Sequence, residues 1–351
     1  MTITSTDYDE TLKAMRQALS SVVPDGELQI KAELVCEINK LKREQSVVIL
    51  GHNYMEPALF HTVPDLVGDS LGLSQAAADT EAETIVFCGV EFMAETAKIL
   101  SPQKKVLLPA KEAGCSLASS ITAQDVRDLK ALFPGVPVVT YVNTYADVKA
   151  EVDVCCTSSN AFDVVHSLQS DRIIFLPDEY LSRNVAQDAN LPITVSFRNE
   201  KGEIELDDEF NKGILAWRGR CEVHEQFSVS DIENARKQFP DIEVVSHPEC
   251  SPDVVSQSDF SGSTTKLVEY VQQSKAPRFL ILTECSMGDN IIAQNPEKEI
   301  VRLCSIRCPH MNQITLEDTL HALQFGEKEI FVPEEIRVKA LSSVERMLSI
   351  V

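Results

Sequence analysis

Residues 47–54 read Val-Val-Ile-Leu-Gly-His-Asn-Tyr. Val47, Val48 and Ile49 are β-branched and Leu50 is apolar, which suits a short strand buried on both faces. The run stops at Gly51, and a histidine, an asparagine and a tyrosine follow at once. One such run cannot be told from a piece of buried helix. Two more runs settle the reading: Val138-Val139-Thr140-Tyr141-Val142-Asn143 and Ile242-Glu243-Val244-Val245-Ser246-His247-Pro248-Glu249. Each ends on polar, chemistry-bearing residues. Internal repeats reorganise every later inference, so they are read first.

Each run is followed by the same series. A serine-bearing turn comes next: Gly68-Asp69-Ser70, Thr157-Ser158-Ser159-Asn160, and Gly262-Ser263-Thr264-Thr265. A helix-like stretch leads to a second apolar run, at 84–88, 172–176 and 279–283, and then to Glu91, Asp178 or Glu284. A third run, at 106–108, 214–217 and 300–303, leads to Cys115, Cys221 or Cys308. The offsets agree. His52 to Ser70 is 18 residues, Asn143 to Ser158 is 15 and His247 to Ser263 is 16. The steps Ser70–Glu91, Ser158–Asp178 and Ser263–Glu284 are 21, 20 and 21. Glu91 to Cys115 and Glu284 to Cys308 are both 24, whereas Asp178 to Cys221 is 43. The surplus falls around 185–212, where 195–206 reads as a hairpin turning at Asn199-Glu200-Lys201-Gly202, and is expected to be a surface insertion.

Short apolar strands alternating with helical stretches mean parallel sheets covered by helices. The expected fold is α/β: three pseudo-symmetric three-layer αβα units around a central site. The expected boundaries are 28–117, 118–224 with the insertion, and 225–330, with an N-terminal helix and the 331–351 segment on the first unit. In such sheets ligands bind beyond the C-terminal ends of the strands, where every distinctive residue above stands.

Composition narrows the function. Among 351 residues, 44% are hydrophobic and 25% charged, as in ordinary globular proteins, and the net charge is −22. Without a basic face the chain has no means of displacing counterions from phosphates, so nucleic acid is not expected as a partner, nor is an anionic membrane. No apolar run reaches the roughly 18–20 residues of a membrane span, and residues 1–25 do not read as a leader. A cytoplasmic location is expected. A small anion must then be held locally, by helix N-termini and placed donors.

Ten cysteines, at 36, 88, 115, 155, 156, 221, 250, 285, 304 and 308, are unlike a disulfide framework in this setting. Most suit the core. Cys115, Cys221 and Cys308, one per unit, could together hold an iron–sulfur cluster with one iron left open as a Lewis acid; a zinc ion is the second metal they would suit. The serine turns are either plain helix caps or, aimed at one cavity, anion pockets. His52, His247, Tyr54, Tyr141 and Glu249 are candidate acids and bases. His224 and His310 stand close to proposed ligands and suit supporting roles, while His61, His166 and His321 read as structural.

Taken in order, Gly51-His52-Asn53-Tyr54, Gly68-Asp69-Ser70-Leu71, Phe87-Cys88-Gly89-Val90, Ala113-Gly114-Cys115, Thr140-Tyr141-Val142-Asn143, Thr157-Ser158-Ser159-Asn160, Phe175-Leu176-Pro177-Asp178, Trp217-Arg218-Gly219-Arg220-Cys221, His247-Pro248-Glu249-Cys250, Gly262-Ser263-Thr264, Thr283-Glu284 and Cys308-Pro309-His310-Met311 give a chain that resembles the quinolinate synthase family from about residue 28 onward. The resemblance implies three α/β domains around a 4Fe-4S cluster. It implies condensation of iminoaspartate with dihydroxyacetone phosphate to quinolinate, phosphate and water in NAD biosynthesis. By motif, Cys115, Cys221 and Cys308 would be the ligands. His52, Ser70, Tyr141, Asn143, Ser158, His247, Glu249, Ser263 and Thr264 would contact substrate, and Tyr54, Glu249 and His247 would be catalytic. The pathway implies transient contact with an aspartate-oxidising enzyme. Cys304, with three residues between it and Cys308, competes with it as third ligand, and the 24-residue offset favours Cys308. Other readings of the same residues are a cluster-dependent hydro-lyase and a metal-binding sensor.

Overall fold

The computed structural model describes residues 2–110, 112–303 and 305–350; Cys304 lies outside them. The first unit runs α1 (Tyr8–Leu19), α2 (Asp25–Glu44), β1 (Val47–His52), α3 (Pro57–Phe60), β2 (Leu66–Gly68), α4 (Ser70–Asp79), β3 (Thr84–Cys88), α5 (Glu91–Leu100) and β4 (Lys105–Leu107). The second runs α6 (Ser116–Ser119), α7 (Ala123–Leu132), β5 (Val138–Tyr141), α8 (Ala146–Lys149), β6 (Val154–Cys156), α9 (Ala161–Ser167), β7 (Arg172–Leu176), α10 (Glu179–Asp188), β8 (Ile193–Arg198), β9 (Ile204–Leu206) and β10 (Gly213–Trp217). The third runs α11 (Val229–Gln238), β11 (Glu243–Ser246), α12 (Pro252–Gln257), β12 (Phe260–Ser261), α13 (Thr264–Gln273), β13 (Arg278–Leu282), α14 (Cys285–Gln294) and β14 (Glu299–Arg302), and α15 (Leu316–Phe325) and α16 (Glu334–Leu348) close the chain.

The three sheets share one strand order: β2-β1-β3-β4, β6-β5-β7-β10 and β12-β11-β13-β14. All these pairings are parallel, so the three-unit α/β fold is as the repeat requires. The edge strands β2, β6 and β12 are additional to the three apolar runs per unit. They are only two or three residues long, and Leu66 and Val67 are exposed, so no burial pattern announces them. The insertion differs from expectation: β8 pairs parallel with β10 and antiparallel with β9, extending the second sheet to six strands instead of lying on its surface. Its hairpin buries Thr194, Val195 and Ser196. Gly213, at φ +86°, begins β10 against the carbonyl of Pro192, a conformation only glycine takes readily.

One continuous core runs through the first and second units and takes in Ala340, Val344 and Met347 of α16. The third unit has two cores of its own, centred on Val244 and Leu282, and on Val245 and Phe279. Helix α15 packs on α2 and β3, and α16 packs on α5, α8 and β6.

Candidate active site

A cavity opens where the three sheets present their strand ends. From the first unit it receives His52, Tyr54, Asp69, Ser70 and Cys115; from the second, Tyr141, Asn143, Ser158 and Cys221; from the third, His247, Glu249, Thr264 and Cys308. Ser263 does not line it: fully buried, its hydroxyl donates to Asp69 Oδ2 at 3.0 Å. Among the described residues no lysine or arginine lines the cavity.

Local geometry sets the histidine tautomers. The backbone N–H of Tyr54 donates to His52 Nδ1 at 3.2 Å, and that of Glu249 donates to His247 Nδ1 at 3.3 Å. The same i+2 turn thus recurs after β1 and β11, and in both rings Nε2 is left to carry the proton. Burial pulls His52 down to about 4 and His247 down to about 3, against the attraction of nearby carboxylates. Both rings are neutral N–H donors at physiological pH.

Glu249 is the hub. Its Oε1 accepts from the Tyr141 hydroxyl at 2.5 Å, and its Oε2 lies 2.7 Å from His224 Nδ1. Burial works against its charge, but the His224 and His247 rings and the Tyr141 hydroxyl outweigh burial, and its pKa falls well below the usual carboxylate range. His224 Nδ1 also lies 3.1 Å from Cys221 Sγ; the carboxylate is the closer and stronger acceptor for a proton on that nitrogen. His224 Nε2 lies 2.9 Å from Thr283 Oγ1 and 3.4 Å from the Tyr54 hydroxyl, and Thr283 Oγ1 and the Tyr54 hydroxyl share a hydrogen bond of 2.6 Å. A hydrogen-bonded chain runs Tyr54–Thr283–His224–Glu249–Tyr141. Burial, reinforced by Glu249, raises both tyrosines well above the ordinary phenol value.

The serine turns are built differently from one another. Asp69, not Ser70, caps α4, accepting from Gly72 N. Ser263 caps α13 through Lys266 N. Ser158 caps nothing: the residue that precedes α9 is Asn160, whose Oδ1 accepts from Thr157 N. Asn53 Nδ2 donates to Thr264 Oγ1 at 2.8 Å, which leaves the threonine proton free to turn toward the cavity. Asn143 Oδ1 is shielded from water without a protein partner, and buried polar atoms ordinarily have one.

The thiols come from one place in each unit. Cys115, Cys221 and Cys308 are partly buried beyond third strands, while Cys36, Cys88, Cys155, Cys156, Cys250 and Cys285 are buried elsewhere. Burial pushes Cys115 up to about 12 and Cys308 up to about 11, so a metal bound here must displace thiol protons. Cys221, His224 and Glu249 also bring ligand atoms within 4.8 Å of one another. His310 Nε2 lies 3.0 Å from Glu222 Oε1 beside the same thiols. Sequence reasoning gave His224 only a supporting place and passed over Asp69 and Thr283. Their position just past a strand end was the available signal; their partners come from other units and leave no trace in spacing.

Fold and site define a three-unit α/β enzyme whose small-molecule centre is assembled from all three units. The chain belongs to the quinolinate synthetase A protein (NadA) family, which it matches over residues 36–349. It is 48% identical over 329 residues to quinolinate synthase 2 of Mesorhizobium japonicum, covering 94% of this chain and 95% of that one. It is 47% identical over 334 residues to the quinolinate synthase of Sinorhizobium medicae, covering 95% and 87%. With that of Xylella fastidiosa it shares 48% over 313 residues, covering 89% and 86%. No helix among the described residues is long and apolar enough to cross a membrane.

Proposed function

We propose that the chain condenses iminoaspartate with dihydroxyacetone phosphate, releasing phosphate and two waters and closing the pyridine ring of quinolinate for NAD biosynthesis. The observation that carries this reading is the meeting, in one cavity without lysine or arginine, of three thiols, neutral anion donors and a tyrosine–glutamate–histidine chain. The donor set fits a 4Fe-4S cluster: three thiols, one from each unit, face one space, and thiolate is the natural ligand. Cys115, Cys221 and Cys308 would hold it, and when bound it supplies a Lewis acid for loss of a hydroxyl group.

The remaining chemistry belongs to the side chains. The Nε2–H groups of His52 and His247, the hydroxyls of Ser70, Ser158 and Thr264, and the N-termini of α4 and α13 hold carboxylates and phosphate as neutral donors. Asn143 orients the substrate skeleton. Ionised Glu249 accepts a proton, and Tyr54, linked to it through Thr283 and His224, returns one. Burial keeps water from the hydrolysable imine, which an aspartate-oxidising enzyme must supply. A zinc enzyme is the second reading, favoured by the Cys221, His224 and Glu249 group, since zinc accepts mixed donors.

The test is iron and acid-labile sulfide per chain on protein purified without oxygen, followed by assay with both substrates. About four of each, with quinolinate formed, is the expected result. Zinc, or no metal after reconstitution with iron and sulfide, overturns the cluster reading.

A further inference from the structure

The serine turns of the three units meet at one carboxylate. Asp69 belongs to the first unit. Its Oδ1 accepts from Gly72 N at 3.1 Å, and its Oδ2 accepts from Ser159 Oγ of the second unit at 2.8 Å and from Ser263 Oγ of the third at 3.0 Å. Lys266 Nζ closes the second and third turns together by donating to the Ser159 carbonyl at 3.0 Å. In each unit the clamped residue is the chain neighbour of a cavity-lining hydroxyl: Asp69 precedes Ser70, Ser159 follows Ser158, and Ser263 precedes Thr264.

A carboxylate beside a site for anions is unfavourable by charge alone. Its retention at this point calls for a geometric reason, and the three bonds supply one. All three turns follow the short edge strands β2, β6 and β12, whose few ladder bonds hold them weakly. Cross-unit hydrogen bonds to a charged acceptor are the strong kind, and here they link elements that no shared sheet connects.

We propose that Asp69 is the positioning residue of the anion-binding end of the cavity. By accepting from Ser159 and Ser263 it sets the spacing of the Ser70, Ser158 and Thr264 hydroxyls, and with it recognition of the phosphate-bearing substrate. The assignment rests on the substrate reading above. Asp69 also lines the cavity, and as a carboxylate it acts on a bound anion through the hydroxyls of its chain neighbours.

The experiment compares the cluster-loaded wild type with Asp69→Ala, Asp69→Asn, Ser159→Ala and Asp69→Ala/Ser159→Ala. KM for dihydroxyacetone phosphate, kcat, iron content and the affinity for inorganic phosphate by calorimetry are measured. Asp69→Ala is expected to raise KM and weaken phosphate binding by about tenfold or more, with kcat and iron content much less changed. Asp69→Asn, which keeps the Gly72 bond and can donate to both serines, falls between alanine and wild type. Ser159→Ala shifts KM in the same direction alone and adds nothing in the Asp69→Ala background. Wild-type KM and phosphate affinity in Asp69→Ala or in Ser159→Ala overturn the proposal. So does an asparagine variant as defective as alanine, which would make charge and not geometry the cause, or a loss confined to kcat and iron content. A wild type that neither binds phosphate nor turns over dihydroxyacetone phosphate overturns the substrate reading, and this proposal with it.

Discussion

Thr283 has a hydroxyl and little else to offer, yet it joins Tyr54 to His224. Thr283→Val keeps the shape and removes this bridge, leaving only the longer 3.4 Å contact between the Tyr54 hydroxyl and His224 Nε2. The expected outcome is a fall in kcat of about tenfold to a hundredfold, with KM for both substrates little changed and an unaltered melting temperature, read by steady-state kinetics and calorimetry. A drop in stability with normal kcat would assign Thr283 to packing alone. The thiols make a second prediction at this scale. Cys115→Ala, Cys221→Ala and Cys308→Ala should each lose bound iron and sulfide, while Cys36→Ala and Cys156→Ala, buried away from the cavity, should retain both on metal analysis. Iron retained in Cys308→Ala would remove it from the ligand set. His52, Tyr54, Tyr141, Asn143, His247 and Glu249 were legible because they stand at the ends of the first runs, and the serines and cysteines because they recur at matching offsets. Asp69 and Thr283 occupy such places too, but the value of their carboxylate and hydroxyl lies in partners 59 to 229 positions away.

Among the elements, α5 and α8 are joined by Glu95, whose Oε2 accepts from Ala146 N at 2.8 Å. Burial, against the attraction of Lys149 and this bond, lifts the Glu95 carboxyl up to about 7 from 4.5. A carboxyl whose folded pKa exceeds its unfolded one stabilises the fold while protonated. That contribution is full below about 4.5 and is lost as pH rises through about 7. Glu95→Gln keeps an acceptor for Ala146 and does not ionise. Wild type should therefore lose a few degrees of melting temperature relative to Glu95→Gln between about pH 5 and 8, and parallel melting curves across that range would count against the assignment. The central strands and the helices between them were legible from the spacing of the apolar runs. The edge strands were not, since two or three residues are too few to carry a period. The 185–212 stretch showed its hairpin but not its docking, because pairing of β8 with β10 depends on backbone groups that every sequence has.

For the molecule as a whole, the C-terminal helix ties the first two units together. Asn160 Nδ2 donates to the carbonyls of Met347 and Ile350, and Ser343 Oγ donates to the carbonyl of Lys149. A chain ending at Val344 would lose the Met347 contacts and leave the Asn160 amide unpaired beside the Ser158 turn. It should melt about 5 °C or more below the full chain and show a raised KM for dihydroxyacetone phosphate, checked by calorimetry and kinetics; full stability and normal KM would show the residues after Val344 to be dispensable.

The sequence by itself determined the three α/β units, the parallel sense of their sheets, and the strand-end address of the thiols, histidines and tyrosines. Those features follow from local hydrophobic runs and from the right-handed strand–helix–strand connection, which act within a few tens of residues. Only the tertiary structure decided how the units meet: one core shared by the first two and separate cores for the third, Glu249 set between Tyr141 and His224, and Asp69 holding two serines that arrive from other units. Hydrogen bonds between distant residues impose no period and no spacing on the chain, so they become visible only when packing has brought their partners together.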